Sequence, residues 1–178
     1  MPTVLFGCED IMTPEEAIKT AIEYEIRIRD IYRQAGASEA DEVGRRVFDT
    51  LGNDEQHHID YLQHTLSQLK TTGKIAAERL DSVVPSGETV ERQSARVKSL
   101  MDKDFLGIRR QMLSKALAAE IETSDFYRKM VNELPAEGQV LFAHFLEIEN
   151  NHIKAVQFEL DYLSKTGYWF DFKEFDME

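Results

Sequence analysis

The sequence holds a single cysteine, Cys8, which excludes an internal disulfide and any metal site built from several thiolates of one chain. Only four prolines and nine glycines interrupt 178 residues, so long stretches carry no helix breaker. No apolar run approaches the roughly 20 residues that a membrane span needs. Positive charge is scarce as well: 21 Lys and Arg face 33 Asp and Glu, for a formal net charge of -12. That balance argues against a nucleic-acid partner, which calls for clustered cations. The opening Met1-Pro2-Thr3-Val4 lacks a basic stretch, so no signal peptide is expected and the cytoplasm is the expected address. One domain with a substantial core fits this length.

What the sequence does contain is helical periodicity. Thr13-Pro14-Glu15-Glu16 combines a capping residue, a proline suited to the first turn and a glutamate able to complete a capping box. It predicts a helix over 14–35 with Ile18, Ile22, Glu25, Ile28 and Tyr32 on one face. Ser38 is the expected cap of a second helix over 39–70. Its stripe reads Val43, Val47, Leu51, Glu55, His58, Leu62 and Leu66, and Thr72-Gly73 is the expected stop. A third helix over 105–133 presents Leu113, Leu117, Glu120, Ser124, Tyr127 and Val131. A fourth over 137–165 presents Leu141, Phe145, Glu149, His152, Val156 and Leu163 before Thr166-Gly167. The chain therefore reads as all-α. Short links make each consecutive pair an antiparallel hairpin. The long crossover 71–104 can travel the length of a bundle, so the second and third helices can run parallel; Glu88 to Met101 can add a short helix of its own. The tail 167–178, with Tyr168, Trp169, Phe170 and Phe172, is expected to pack on the bundle or on a partner subunit.

The two hairpins repeat one another. Ala21-Ile22, Glu25-Ile26 and Asp30-Ile31-Tyr32-Arg33 recur as Ala116-Leu117, Glu120-Ile121 and Asp125-Phe126-Tyr127-Arg128, 95 positions on. Phe48, Glu55, His58 and Ile59 recur as Phe142, Glu149, His152 and Ile153, 94 positions on. The repeat preserves the polar residues selectively, and each of them falls in an apolar stripe. Glu55 and His58, like Glu149 and His152, are three apart and share a helix face, so a carboxylate and an imidazole converge on one cation. Four buried carboxylates without compensation are very unfavourable. Two divalent ions supply the opposite charge, which points to a pair of metals held by Glu25, Glu55, His58, Glu120, Glu149 and His152. His57 is paired by the repeat with Asn151, and His64 and His144 have no counterpart, so these three are read as non-ligands.

At these residues the chain resembles the ferritin-like superfamily of dimetal carboxylate proteins, and within it the rubrerythrin-like branch. The carriers are Glu25 with Tyr32, Glu55-Gln56-His57-His58, Glu120 with Tyr127, and Glu149-Asn150-Asn151-His152. The resemblance implies a ferritin-like four-helix bundle in which Glu55 and Glu149 bridge the metals. Glu25 with His58, and Glu120 with His152, complete the two coordination spheres, and Tyr32 and Tyr127 steady the carboxylates. Two departures stand out. One cysteine cannot build the rubredoxin-like iron centre, and Thr123 occupies the place of a further glutamate. Glu122 cannot replace it, being about 200° round the helix from Glu120. The resulting six-ligand set is shared with ferroxidases and manganese catalases. The expected cofactor is two iron ions, with manganese also tolerated by such ligands. The expected activity is that of a di-iron oxidoreductase reducing hydrogen peroxide or dioxygen with electrons from an external donor protein. A ferroxidase that handles iron and a dimanganese catalase-like enzyme are the alternatives. A homodimer is expected.

Overall fold

A computed structural model of the chain describes residues 12–76, 78, 80–97 and 107–173. These residues are all-helical: α1 (Pro14–Ser38), α2 (Glu42–Thr72), α3 (Gly87–Val97), α4 (Gly107–Glu133) and α5 (Ala136–Thr166). Cys8, the expected helix end at Met101, the expected start of the third long helix at 105 and the tail beyond Lys173 lie outside the described residues.

Local chemistry explains the helix ends. Both halves of the Thr13–Glu16 capping box form, satisfying donors that the first turn of α1 leaves free. α1 continues through Ser38, so that serine ends the first helix instead of capping the second. Asp41 takes the capping role, accepting from the Val43 and Gly44 amides at 2.8 and 3.1 Å. α2 and α5 both stop on a glycine in the left-handed region, Gly73 at φ 70° and Gly167 at φ 78°.

The apolar stripes gather into two clusters. One joins the first half of α1 (Ile18, Ala21) to Leu62 of α2, Met130 of α4 and Phe142 and Phe145 of α5. The other joins the second half of α1 (Ile28, Tyr32) to Phe48 and Leu51 of α2, Leu113 and Ala116 of α4, and Val156 and Leu163 of α5. This grouping sets the directions. α1 runs against α2 and against α4, α4 runs against α5, and α2 and α4 run the same way, so the crossover must span the distance between the clusters. On α4 the buried stripe passes through Ala116 and Ala119, and Leu117 is only partly covered. Small residues there let α4 approach closely.

The crossover is stitched to the long helices. α3 packs on α5, where the Gly87 amide donates to Asn151 Oδ1 at 3.0 Å and Lys154 pairs with Glu91 at 2.9 Å. The described part of the aromatic tail packs on its own bundle. Trp169, Phe170 and Phe172 are buried, with Trp169 edge-on to Phe48 at 5.2 Å and Phe170 edge-on to Phe158 at 5.1 Å. Gly44 makes room for the indole, since a Cβ there would sit 2.3 Å from Trp169 Nε1. No helix among the described residues is long and apolar enough to cross a membrane.

Candidate metal centre

Between the two apolar clusters lies a layer of acidic and imidazole side chains. α1 contributes Glu25, α2 contributes Asp54, Glu55 and His58, α4 contributes Glu120, and α5 contributes Glu149 and His152. All seven have no exposed surface. The stripes bring them together because each polar residue replaces one apolar position of a core-facing heptad, at the same height in all four long helices.

Of three donor groups whose candidate atoms lie within 4.8 Å of one another, one is Asp54, His58 and His152, and the other two lie on the glutamate side of the imidazoles. The first of these two is Glu25, Glu55, His58 and Glu149; the second is Glu55, Glu120 and His152. Glu55 belongs to both. Its Oε2 is 2.9 Å from His58 Nδ1 and its Oε1 is 2.8 Å from His152 Nδ1, which places one carboxylate between the two imidazoles. Glu25 Oε2 approaches His58 Nδ1 at 3.3 Å, and Glu120 Oε1 approaches His152 Nδ1 at 3.7 Å. Glu149, expected beside Glu55 as a second bridge, falls in the first group only, with Oε1 at 3.8 Å from His58 Nδ1. The imidazoles stack with ring centres 5.3 Å apart.

Tyr32 and Tyr127 cross between hairpins. The Tyr32 hydroxyl donates to Glu120 Oε1, and the Tyr127 hydroxyl donates to Glu25 Oε1. Each repeat thus orients a glutamate of the other. Burial first, and then the carboxylates beside them, push both phenols well above their ordinary value, so they remain protonated donors. Thr123 is fully buried one turn from Glu120, and its hydroxyl donates to the Ala119 carbonyl at 3.0 Å. Glu122 is exposed and pairs with Arg27. His57 and His64 are exposed and His144 is half-buried, away from both donor groups.

The electrostatics describe a site short of positive charge. Burial pushes Glu55 up to about 7 and Glu149 well above the carboxylate range, with neighbouring glutamates adding to the shift. Against the cost of burial, the charge of Glu55 and bonds to Glu25 and Glu55 raise His58 to about 10. Glu55 and a bond to Asp54 raise His152 in the same way. Against the same cost, bonds to His58 and His152 hold Glu25 and Glu120 low. Protons thus take the place that cations would fill. Glu120 Oε2 and both Glu149 oxygens are buried without a hydrogen-bond partner. Such orphaned atoms are costly unless a ligand meets them, and carboxylate oxygens with imidazole nitrogens suit first-row divalent metals. The residues present fit a pair of such ions.

Comparison with family models, with curated proteins and with solved structures yields no match. The geometry itself brings donors from four helices together.

It also adds a residue that the sequence reasoning passed over. Asp54 accepts from His152 Nε2 at 3.0 Å and lies 3.7 Å from His58 Nε2, on the side of the imidazoles away from the glutamates. Despite its burial, bonds to His152 and nearby positive charge hold it at about 2, so it stays anionic. The repeat hides it, because its counterpart 94 positions on is Ile148. The available signal is its spacing of four from His58, which puts both on one helix face. Asp54 also revises the charge balance. The buried layer holds five carboxylates, and the fifth, Asp54, is compensated by hydrogen bonds from imidazole, Ser82 and the Val83 amide.

Proposed function

We propose that this chain is a ferritin-like dimetal carboxylate protein of the rubrerythrin-like type, acting as a di-iron oxidoreductase that reduces hydrogen peroxide or dioxygen. The observation that carries the reading is Glu55, a buried carboxylate with one oxygen toward each of two histidine-containing donor groups. Glu55 with Glu25, His58 and Glu149 on one side, and with Glu120 and His152 on the other, would hold two iron ions, which would supply two electrons to the oxidant. Tyr32 and Tyr127 hold Glu120 and Glu25 in orientation through their hydroxyls. The apolar clusters on either side exclude bulk water, which suits a small, uncharged oxidant. A cavity of about 410 Å³, lined by Asp81, Ser82, Val84, His144, Glu147 and Asn151, lies next to Asp54 through Ser82 and offers such a molecule an approach. The electrons come from a separate donor protein, since the only cysteine cannot form a relay centre.

Stopped-flow mixing of the anaerobic di-ferrous protein with peroxide, and separately with dioxygen, tests this. Oxidation of the site by at least one of them, faster than that of free ferrous ion, is expected. Equal rates for protein-bound and free ferrous ion with both oxidants would refute the reading. Oxygen evolution from peroxide without reductant would assign a catalase-like reaction instead.

A further inference from the structure

Asp54 breaks the repeat, and it touches both the candidate imidazoles and the crossover. On one side are the Nε2 atoms of the candidate ligands, at 3.0 Å for His152 and 3.7 Å for His58. On the other side is the crossover, where the Ser82 hydroxyl donates to Asp54 Oδ2 and the Val83 amide donates to Oδ1 at 3.2 Å. Ser82 Oγ in turn accepts from the Val84 amide at 3.0 Å, and the Val84 side chain is buried in the core. A single buried carboxylate therefore anchors this stretch of the crossover and faces both imidazoles.

We propose that Asp54 is a positioning residue that makes the two metal positions inequivalent and couples their occupancy to the docking of crossover residues 82–84. This inference rests on the dimetal reading above. Its physical basis is the two-sidedness of imidazole. A histidine whose Nδ1 ligates a metal carries its remaining proton on Nε2, and that proton needs an acceptor. For His152 the acceptor is already in place. His58 Nε2 is buried with no hydrogen-bond partner, and the same Asp54 oxygen is the acceptor within closest reach. Nothing equivalent serves the repeat-related position, where Ile148 is apolar. With Nδ1 of His152 on a metal, its Nε2–H would be fixed on Asp54, and the carboxylate so held would keep Ser82 and Val83 docked more firmly. The half-site containing His152, the imidazole with the shorter bond, is the tighter of the two.

The test uses Co²⁺ as probe, titrated anaerobically into the full chain and followed by its visible absorption, with amide hydrogen exchange at Val83 and Val84 as a second readout. The parent is expected to bind two ions in two resolved steps and to slow exchange at both amides as the first step saturates. Asp54→Asn is expected to weaken the tighter step about 10–100-fold. It should also remove the metal dependence of the exchange. Ser82→Ala, which leaves Asp54 and the imidazoles intact, is expected to bind both ions within a few-fold of the parent while exchange at Val84, whose acceptor is removed, becomes fast with or without metal. Two Co²⁺ bound with unchanged affinities in Asp54→Asn, or exchange indifferent to metal in the parent, overturns the inference and leaves the dimetal reading standing. Failure of the parent to bind any Co²⁺ overturns both.

Discussion

At the scale of single residues, the shared position of Glu55 separates it from its repeat partner. Glu55→Ala removes a donor from both groups and is expected to take metal stoichiometry from two toward zero. Glu149→Ala removes a donor from the His58 group alone and is expected to leave an ion on the His152 side. Metal analysis after anaerobic desalting distinguishes them, and equal loss in both variants contradicts the assignment. His57→Ala is expected to change nothing, because His57 is exposed although it adjoins His58. Thr123 allows a sharper test. It is buried one turn from Glu120, where an added carboxylate would give a buried layer that already holds five of them a sixth. Thr123→Glu is therefore expected to favour the trivalent pair and lower its reduction potential. A redox titration in which the potential stays put or rises, with the new carboxylate shown to ligate, would count against the charge-balance account.

At the scale of elements, the tail after α5 is held by interlocking contacts. Trp169 fills the space that Gly44 leaves open, Arg46 pairs with Asp171 at 2.8 Å, and the Phe170 amide donates to Glu159 at 3.3 Å. Gly44→Ala forces a methyl group into the indole. The expected cost is about 1–3 kcal/mol of stability, as for other overpacked cores. The lone tryptophan reports the event directly: its emission should shift to the red in the variant as the ring is displaced toward water. Unchanged emission and an unchanged melt would show that the tail repacks without cost. Phe48 touches both Trp169 and Tyr32, at 5.2 and 6.4 Å, so the tail lies within two ring contacts of the tyrosine that orients Glu120.

At the scale of the whole molecule, the buried layer links stability to pH and to metal. Without metal, His58, His152, Glu55 and Glu149 all have raised values. The stability they contribute is complete below their unfolded values, near 6.5 for histidine and 4.5 for glutamate. It fades as pH rises through about 7 for Glu55 and about 10 for His58. Asp54 has the opposite sign: its contribution is present above the ordinary aspartate value of 3.8 and is lost as pH falls through about 2. The metal-free protein is thus expected to be most stable in weak acid and to weaken toward alkaline pH. Metal binding requires free Nδ1 atoms and ionised carboxylates, so it gains strength in the same direction. Melts with and without a chelator should nearly coincide at about pH 5 and separate by roughly 5–15 °C at about pH 8 with saturating metal. Coincident melts at both pH values would remove the case for a metal-supported core.

Spacing along the chain is enough to place the four long helices, most of their apolar faces and the six repeated polar residues within those faces. All of these follow from periodicities within one helix, where spacings of three and four decide which side chains are neighbours. The capping box and the two terminal glycines belong to the same local chemistry. The pairings between helices come from packing instead. Tyr32 finds Glu120 across 88 positions and Tyr127 finds Glu25 across 102, so each hairpin orients the other. Ser38 ended the first helix and Asp41 capped the second because the turn between them sits three residues later than the capping preferences alone indicate. Asp54 joins the buried layer through His152, and Ser82 and Val83 of the crossover meet its carboxylate from the other side. A repeat reveals what is equivalent; the contacts that break equivalence depend on distances between helices, which no spacing along the chain encodes.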